Sequence, residues 1–317
     1  MTGKAFTADA LLLLTAIIWG FAFVAQRAGM DYIGPFLYTG IRFLLGALVL
    51  VPFLVAKHRR KPHNHAIKQK HGARLGAGTL AGALAGAVLF LGVSFQQVGL
   101  LYTSAGKAGF ITGLYVIIVP LLGVLRRQKS RPGTWVGASL AVVGLYFLTV
   151  TGGFRIGRGD LLVLISALFW AIHVQIIGWI SPKVESLQLA ATQFTLCGFA
   201  GLIVALISEE IAGRAIIEAA LPIAYGGICS VGIAFTLQVV AQKKAPPAHA
   251  AIIMSLEGVF AVLGGYLLLN ESLSPRGGLG CLLMFGGMVL SQIAVIKAAA
   301  RTSSGIESES SAKNDLT

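Results

Sequence analysis

Apolar stretches of about 20 residues alternate with short polar segments along almost the whole chain. A stretch of this length crosses the hydrocarbon core of a bilayer as an α-helix. The pattern predicts an all-α integral membrane protein with ten transmembrane helices. Proline begins three of them, at Pro35, Pro132 and Pro275, where its missing N–H costs little, and Pro120 should kink the fourth. The predicted bounds are 9–28, 35–56, 75–98, 104–125, 132–151, 160–181, 186–208, 219–242, 248–269 and 275–297.

The second half of the chain repeats features of the first. The stretch Ala105–Arg127 aligns without a gap beneath Ala248–Asn270 at a shift of 143 residues. Near the start of each half a shift of 151 applies, and it aligns Asp9 with Asp160, Trp19 with Trp170, and Phe43 with Phe194. An insertion in the polar segment 57–74 explains the difference of eight.

The repeat predicts the organisation of the protein. We expect one five-helix repeat over 1–151, a second over 152–297 and a disordered cytoplasmic tail over 298–317. Five spans per repeat is an odd number, so the second copy enters the membrane in the opposite sense. Inverted repeats are typical of secondary transporters, which hold substrate near the midplane between the two halves. The pattern therefore favours transport by alternating access.

Composition and charge agree with a membrane location. Of the 317 residues, 56% are hydrophobic and only 12% are charged, too few to cover the surface of a soluble protein. The net charge of +13 does not indicate nucleic-acid binding, because the basic residues lie between the apolar stretches. If the N-terminus is cytoplasmic, 18 Lys and Arg residues lie in the segments on the cytoplasmic side of the membrane and five lie in the segments on the external side. This bias predicts a multi-pass protein of the cytoplasmic membrane with both termini inside.

Four short stretches together resemble the EamA-like family of the drug/metabolite transporter superfamily. They are Ala16–Phe21 (AIIWGF), Ile41–Leu45 (IRFLL), Tyr102–Gly106 (YTSAG) and Ser255–Ser274, which ends in LNESLS. The resemblance implies ten spans, a central cavity and export of small metabolites such as amino acids. The family often has Leu-Glu-Pro in the ninth helix, where this chain has Leu-Glu-Gly at 256–258. The kink that proline fixes is therefore not expected, although glycine still permits a bend.

Mid-span position and the family's cavity together suggest six substrate-binding residues. The set contains an aromatic pair at equivalent places in the two repeats, two further aromatic residues, a histidine one turn from the second tryptophan and one acid: Trp19, Trp170, Phe90, Tyr115, His173 and Glu257. For most of them simple packing is an equally reasonable interpretation. Glutamines within the spans, Gln26, Gln96 and Gln238 among them, are better explained as hydrogen-bonding links between helices.

Glu257 is the one acid expected near the midplane, about 14 Å into its helix at 1.5 Å per residue. A charge at that depth is costly, so an ionisable residue there is a functional candidate. Arg42 is the cation of comparable depth, and the two could form an ion pair or a coupling site. The alternative is a structural acid. The sharper hypothesis is that Glu257 binds a substrate amine or carries a coupling proton.

Other functions are disfavoured by the sequence. A nucleotide-sugar or sugar-phosphate exchanger needs several deep basic groups, and an intramembrane enzyme needs a converging catalytic set that is not visible. A receptor or scaffold would not require an inverted repeat. The histidines between His58 and His71 could bind a metal but are better read as part of a solvated loop. We expect no cofactor, no metal and no nucleic-acid partner. The expected partners are a small-molecule metabolite, the lipid bilayer and a coupling proton, and the protein is expected to be a monomer or a homodimer.

Overall fold

The computed structural model describes residues 3–59, 65–125, 132–149, 156–287 and 289–290. The tail predicted to be disordered, 298–317, lies outside these ranges, and nothing is described of the histidine side chains between His58 and His71; of the segment predicted as a solvated loop, residues 58–59 and 65–71 are helical. Within the described ranges the chain forms helices and turns without a strand. Eight helical stretches of this part are long and apolar enough to cross a membrane. The protein is therefore an all-helical, multi-pass membrane protein.

The first half begins with three long helices: α1 (Gly3–Gly29), α2 (Pro35–Arg59) and α3 (His65–Gly99). They are followed by α4 (Ala105–Gly113), α5 (Tyr115–Leu125) and α6 (Pro132–Thr149). Ser104 caps α4, since its side chain accepts a hydrogen bond from the Lys107 N–H. In α6 the apolar part, Trp135–Leu148, is shorter than the eight spans.

The second half begins with α7 (Arg158–Ile180) and α8 (Ser186–Ser208), followed by the short helices α9 (Gly213–Glu218) and α10 (Ala220–Ala224). A π-helical segment, Tyr225–Phe235, comes next and leads into α11 (Thr236–Ala241). The chain then forms α12 (Pro247–Met254), α13 (Glu257–Leu269) and a last helix, α14, over 275–287.

Three stretches predicted as continuous α-helices are interrupted. The fourth breaks at Leu114, six residues before the expected kink at Pro120, and α5 continues through that proline. The ninth breaks between Met254 and Glu257 although it contains no proline. At both breaks N–H groups bond to carbonyls three residues back, and the Ser255 hydroxyl bonds to a preceding carbonyl, an arrangement that bends helices. The third interruption is the π-helical segment within 219–242.

Small residues allow the helices to approach closely. Gly40 of α2 and Gly201 of α8 meet backbone to backbone, because a Cβ added at Gly201 would lie 2.9 Å from the Gly40 nitrogen. Gly82 and Gly86 of α3 pack closely against α8, Gly82 against the Thr192 side chain and Gly86 against the Gln193 backbone. Glycines of the π-helical segment leave room for α2; Gly226 adjoins Tyr38 and Arg42.

Candidate substrate cavity

A cavity lies between the two halves of the chain, where the interrupted helices meet. It holds about 30 Å³, room for a water molecule or two rather than a metabolite. The first half contributes Trp19, Ala22, Phe23, Gln26, Arg42, Gln96, Thr112 and Tyr115 to its wall. The second half contributes Trp170, Val174, Ser230, Phe235, Gln238 and Glu257.

Three aromatic rings form one wall of the cavity. The centroid of the Phe235 ring lies 4.5 Å from that of Trp19 and 5.8 Å from that of Trp170, and the two indoles are 6.3 Å apart. The Trp19 Nε1–H donates to the Ser230 carbonyl at 3.3 Å, and the Trp170 Nε1–H donates to Gln96 Oε1 at 2.7 Å. Because both indole N–H groups are bonded, the rings are held in place and present apolar faces.

Arg42 belongs to a hydrogen-bonded network of glutamines. Its Nη2 donates to Gln26 Oε1 at 3.3 Å, and Gln96 Nε2 donates to the same oxygen at 3.2 Å. The guanidinium is 4.9 Å from the centroid of the Phe43 ring and 5.5 Å from that of Tyr38. The side chain is buried, and its Nε has no hydrogen-bond partner in the described part of the chain. A buried cation with an unused donor on a cavity wall is suited to binding an anionic group.

The two helix breaks bring polar groups to the cavity. Thr112 and Tyr115 flank the break at Leu114, and Glu257 is the first residue of α13 after the other break. The Tyr115 phenol lies beside the Glu257 carboxyl. Thr112 Oγ1 and Glu257 Oε1 are buried and have no hydrogen-bond partner among the described residues. The same is true of the side-chain nitrogen and oxygen of Gln238. Unsatisfied buried polar atoms are costly, so a group entering the cavity could satisfy them.

The structure places four of the six predicted binding residues on the cavity wall: Trp19, Tyr115, Trp170 and Glu257. His173 and Phe90 are elsewhere. His173 points towards α8, where its Nε2 lies 2.9 Å from Gln193 Oε1, and Phe90 packs against the apolar core. Arg42 also lines the cavity, but no salt bridge within the described residues joins it to Glu257; its Nη2 bonds to Gln26.

The sequence interpretation missed several wall residues. Gln26, Gln96 and Gln238 carry a signal, since each is an amide within an apolar stretch, but from sequence alone this signal favours links between helices over a place on a cavity wall. Ser230 and Phe235 carry no such signal. They reach the wall from the π-helical segment, whose altered periodicity is not visible in the sequence. Within the described residues, no three His, Cys, Asp or Glu side chains converge as a metal site would require.

Comparison with known proteins agrees with this architecture. The model of the EamA-like transporter family matches the chain twice, over residues 6–150 and 157–292. The chain belongs to the EamA-like transporter family. Its two matches together cover nearly all of the described residues, and the boundary between them falls just before α7.

Several relatives of this EamA-family protein are named as transporters. An uncharacterized transporter of Archaeoglobus fulgidus is 31% identical over 300 residues, which cover 92% of this chain and 88% of the relative. The uncharacterized inner membrane transporter YedA of Escherichia coli K12 is 26% identical over 265 residues, 81% of each chain. A chloroplastic WAT1-related protein of Arabidopsis thaliana is 25% identical and is matched over 64% of its length.

The fold also occurs in a solved structure. A crystal structure with 20% sequence identity superposes with a TM-score of 0.64 over 92% of this chain and 98% of the other. At this identity the likeness concerns the fold alone. The family match and the eight apolar helices together establish a multi-pass membrane protein of a transporter family.

Proposed function

We propose that this EamA-family protein is a secondary transporter that exports small organic metabolites such as amino acids by alternating access. The observation that carries the proposal is the wall of the cavity. It combines an aromatic surface with one buried cation, Arg42, and one buried acid, Glu257, and both have unused hydrogen-bonding atoms. A zwitterion with an apolar side chain matches all three features. The names of the relatives, which are called transporters, support a transport function rather than an enzymatic one.

The architecture proposed with this function is ten spans in two inverted five-helix repeats. The double family match, over 6–150 and 157–292, supports it. The two helix breaks support it as well, because a shift of 143 maps Leu114, the first break, onto Glu257, which directly follows the second break at 255–256. Broken helices near the midplane are a feature of transporters built from repeats. We also propose that both termini face the cytoplasm and that the membrane is the cytoplasmic one, as the charge bias indicates.

Alternating access accounts for the small volume of the cavity. About 30 Å³ cannot hold an amino acid, so substrate entry requires the helices around the cavity to separate. A nucleotide-sugar or sugar-phosphate exchanger fits less well, since Arg42 is the one cation on the described wall and a phosphorylated substrate would call for several.

Flux into proteoliposomes tests the proposal. Purified protein would be reconstituted and assayed with radiolabelled tryptophan, leucine, glutamate, lysine and glucose 6-phosphate, with protein-free liposomes as the control. We expect saturable flux of a neutral apolar amino acid that exceeds flux of the lysine and glucose 6-phosphate probes. Flux of glucose 6-phosphate alone would contradict the assignment and favour the exchanger, whereas absence of flux for every compound would contradict the proposed substrate class.

A further inference from the structure

Two acid–base pairs join the halves of the chain; α1, α4 and α7, which carry three of the four residues, line the cavity, and α12, which carries the fourth, directly precedes the break before Glu257. Nε2 of His249, at the start of α12, lies 2.7 Å from Asp9 Oδ1 on α1. Lys107 Nζ, in the first turn of α4, donates to Asp160 Oδ2 on α7 at 2.8 Å. Asp160 also accepts a hydrogen bond from the Thr103 hydroxyl at 2.6 Å. Neither pair belongs to the cavity wall described above.

The two pairs lie at opposite ends of the helix bundle. Gln26, near the end of α1, bonds to Gln96 of α3, and the last residue of α3 packs against Gly159 of α7. Asp160 is therefore at the end of the bundle where α1 finishes. Asp9 precedes Gln26 by 17 residues, about 26 Å of helix at 1.5 Å per residue, which places it at the other end.

Each pair occupies the equivalent place in its half. The shift of 151 that aligns Trp19 with Trp170 also aligns Asp9 with Asp160. The basic partners, Lys107 and His249, are 142 residues apart, within one residue of the shift that relates the two broken helices. Thus each acid, on the first helix of one half, pairs with a base at the start of the broken helix of the other half.

Helices α2 and α8 are connected differently. At one end Lys57 Nζ donates to Glu185 Oε1 at 2.6 Å. At the other end the carboxylate of Glu209 accepts from the Phe36 and Leu37 N–H groups, at 2.8 Å each. Charged groups therefore join α2 and α8 at both ends of that pair, whereas among the described residues one salt bridge joins α1 with α12 and one joins α4 with α7.

We propose that Asp9–His249 and Asp160–Lys107 are the two gates of the transport pathway, one at each end of the cavity. Opening one pair lets its end of the bundle separate while the other pair and the α2–α8 contacts stay closed. Both pairs are formed in the structure, and the cavity between them is small. The inference rests on the proposed transport function but needs no knowledge of the substrate.

Sided labelling of a cavity cysteine tests this inference. In a background with Cys197, Cys229 and Cys281 replaced by alanine, Ser230→Cys supplies one thiol on the cavity wall. The probe is a membrane-impermeant, quaternary-ammonium methanethiosulfonate, applied to right-side-out and to inside-out vesicles. Asp9→Asn should raise the labelling rate from the cytoplasmic side roughly fivefold, the change that corresponds to a pair worth about 1 kcal/mol. Asp160→Asn should raise the labelling rate by a similar factor, but only for reagent applied from the outside.

Two further variants separate gating from loss of stability. His249→Gln should reproduce the sided effect of Asp9→Asn. Lys57→Gln, which removes a comparable pair between the halves away from the cavity, should leave both rates unchanged. Faster labelling from both sides in any of the three gate variants, unchanged rates in Asp9→Asn and Asp160→Asn, or a sided effect of Lys57→Gln would each overturn the inference. Because no substrate is used, sided labelling can be observed even if the flux assay finds no substrate among the compounds tested.

Discussion

The indole rings of Trp19 and Trp170 meet with their centroids 6.3 Å apart, although 151 residues separate them in the chain. They come from α1 and α7, the first long helix of each half, and Phe235 packs against both. This contact places equivalent residues of the two halves side by side on one cavity wall. The aromatic wall is thus formed where the halves meet, which is where an alternating-access protein would hold its substrate.

The Trp170→Phe substitution tests whether the hydrogen bond from the Trp170 indole to Gln96 contributes to substrate binding. Phenylalanine keeps an aromatic face but leaves Gln96 Oε1 without its donor at 2.7 Å. We expect the KM for the transported amino acid to rise about fivefold, as loss of about 1 kcal/mol would give. Trp179→Phe is the matched control, because Trp179 is exposed and stacks with Lys183 rather than lining the cavity. Equal effects of the two variants on KM would contradict the role of Trp170.

Arg42 is expected to bind the anionic group of the substrate. Arg42→Gln removes the charge and should lower flux of a carboxylate-bearing substrate by roughly tenfold to a hundredfold, because hydrogen bonds to charged groups are worth about 1.5–3 kcal/mol. Arg42→Lys keeps the charge but loses the planar fork and should recover only part of the flux. Arg276→Gln is a control, since that cation lies near Tyr146 and Phe147, away from the cavity. Full flux in Arg42→Gln at normal expression would remove Arg42 from the site.

Glu257 is expected either to bind the amine of the substrate or to carry a coupling proton. Glu257→Gln keeps the shape and hydrogen-bonding capacity of the side chain but cannot ionise. If the acid is functional, the variant should lose flux or lose the response of flux to an imposed pH gradient, at unchanged expression. The measurement is flux into proteoliposomes with and without the gradient. A fully active variant with an unaltered response to the gradient would leave Glu257 with a structural role.

The Lys57–Glu185 pair predicts how stability depends on pH. Burial raises the pKa of the Glu185 carboxyl, but hydrogen bonds from Lys57, Gln188 and Leu187 outweigh burial, so the net pKa is lowered. A carboxyl whose pKa is lowered by folding stabilises the protein above its unfolded value, near 4.3, and this contribution disappears as pH falls through the folded value.

We therefore expect Lys57→Gln to lower the Tm of detergent-solubilised protein by about 1–3 °C at pH 7. The difference from wild type should shrink as the pH falls through the acidic range in which Glu185 is protonated. Thermal melts from pH 7 down to pH 4 or below, monitored by a thiol-independent signal such as tryptophan fluorescence, would measure it. A difference in Tm that does not change over that range would contradict the contribution of this carboxyl.

The sequence by itself determined the class of the protein and several residues of the site. Apolar stretches of sufficient length must bury their backbone polar groups as helices in lipid, so the all-helical membrane class follows without tertiary information. The mid-span tryptophans, Tyr115 and Glu257 could be identified because such residues are conspicuous in apolar surroundings. Local composition was enough for these inferences.

Only the tertiary structure decided how those helices are interrupted and which side chains meet. The break at Leu114 and the π-helical segment both lie inside apolar stretches, so apolar periodicity does not show them. His173 faces Gln193 instead of the cavity, and Arg42 bonds to Gln26 instead of Glu257. In a buried helix every face is apolar, so hydrophobic pattern alone does not say which face a polar side chain occupies. Its partner, supplied by a distant part of the chain, decides that.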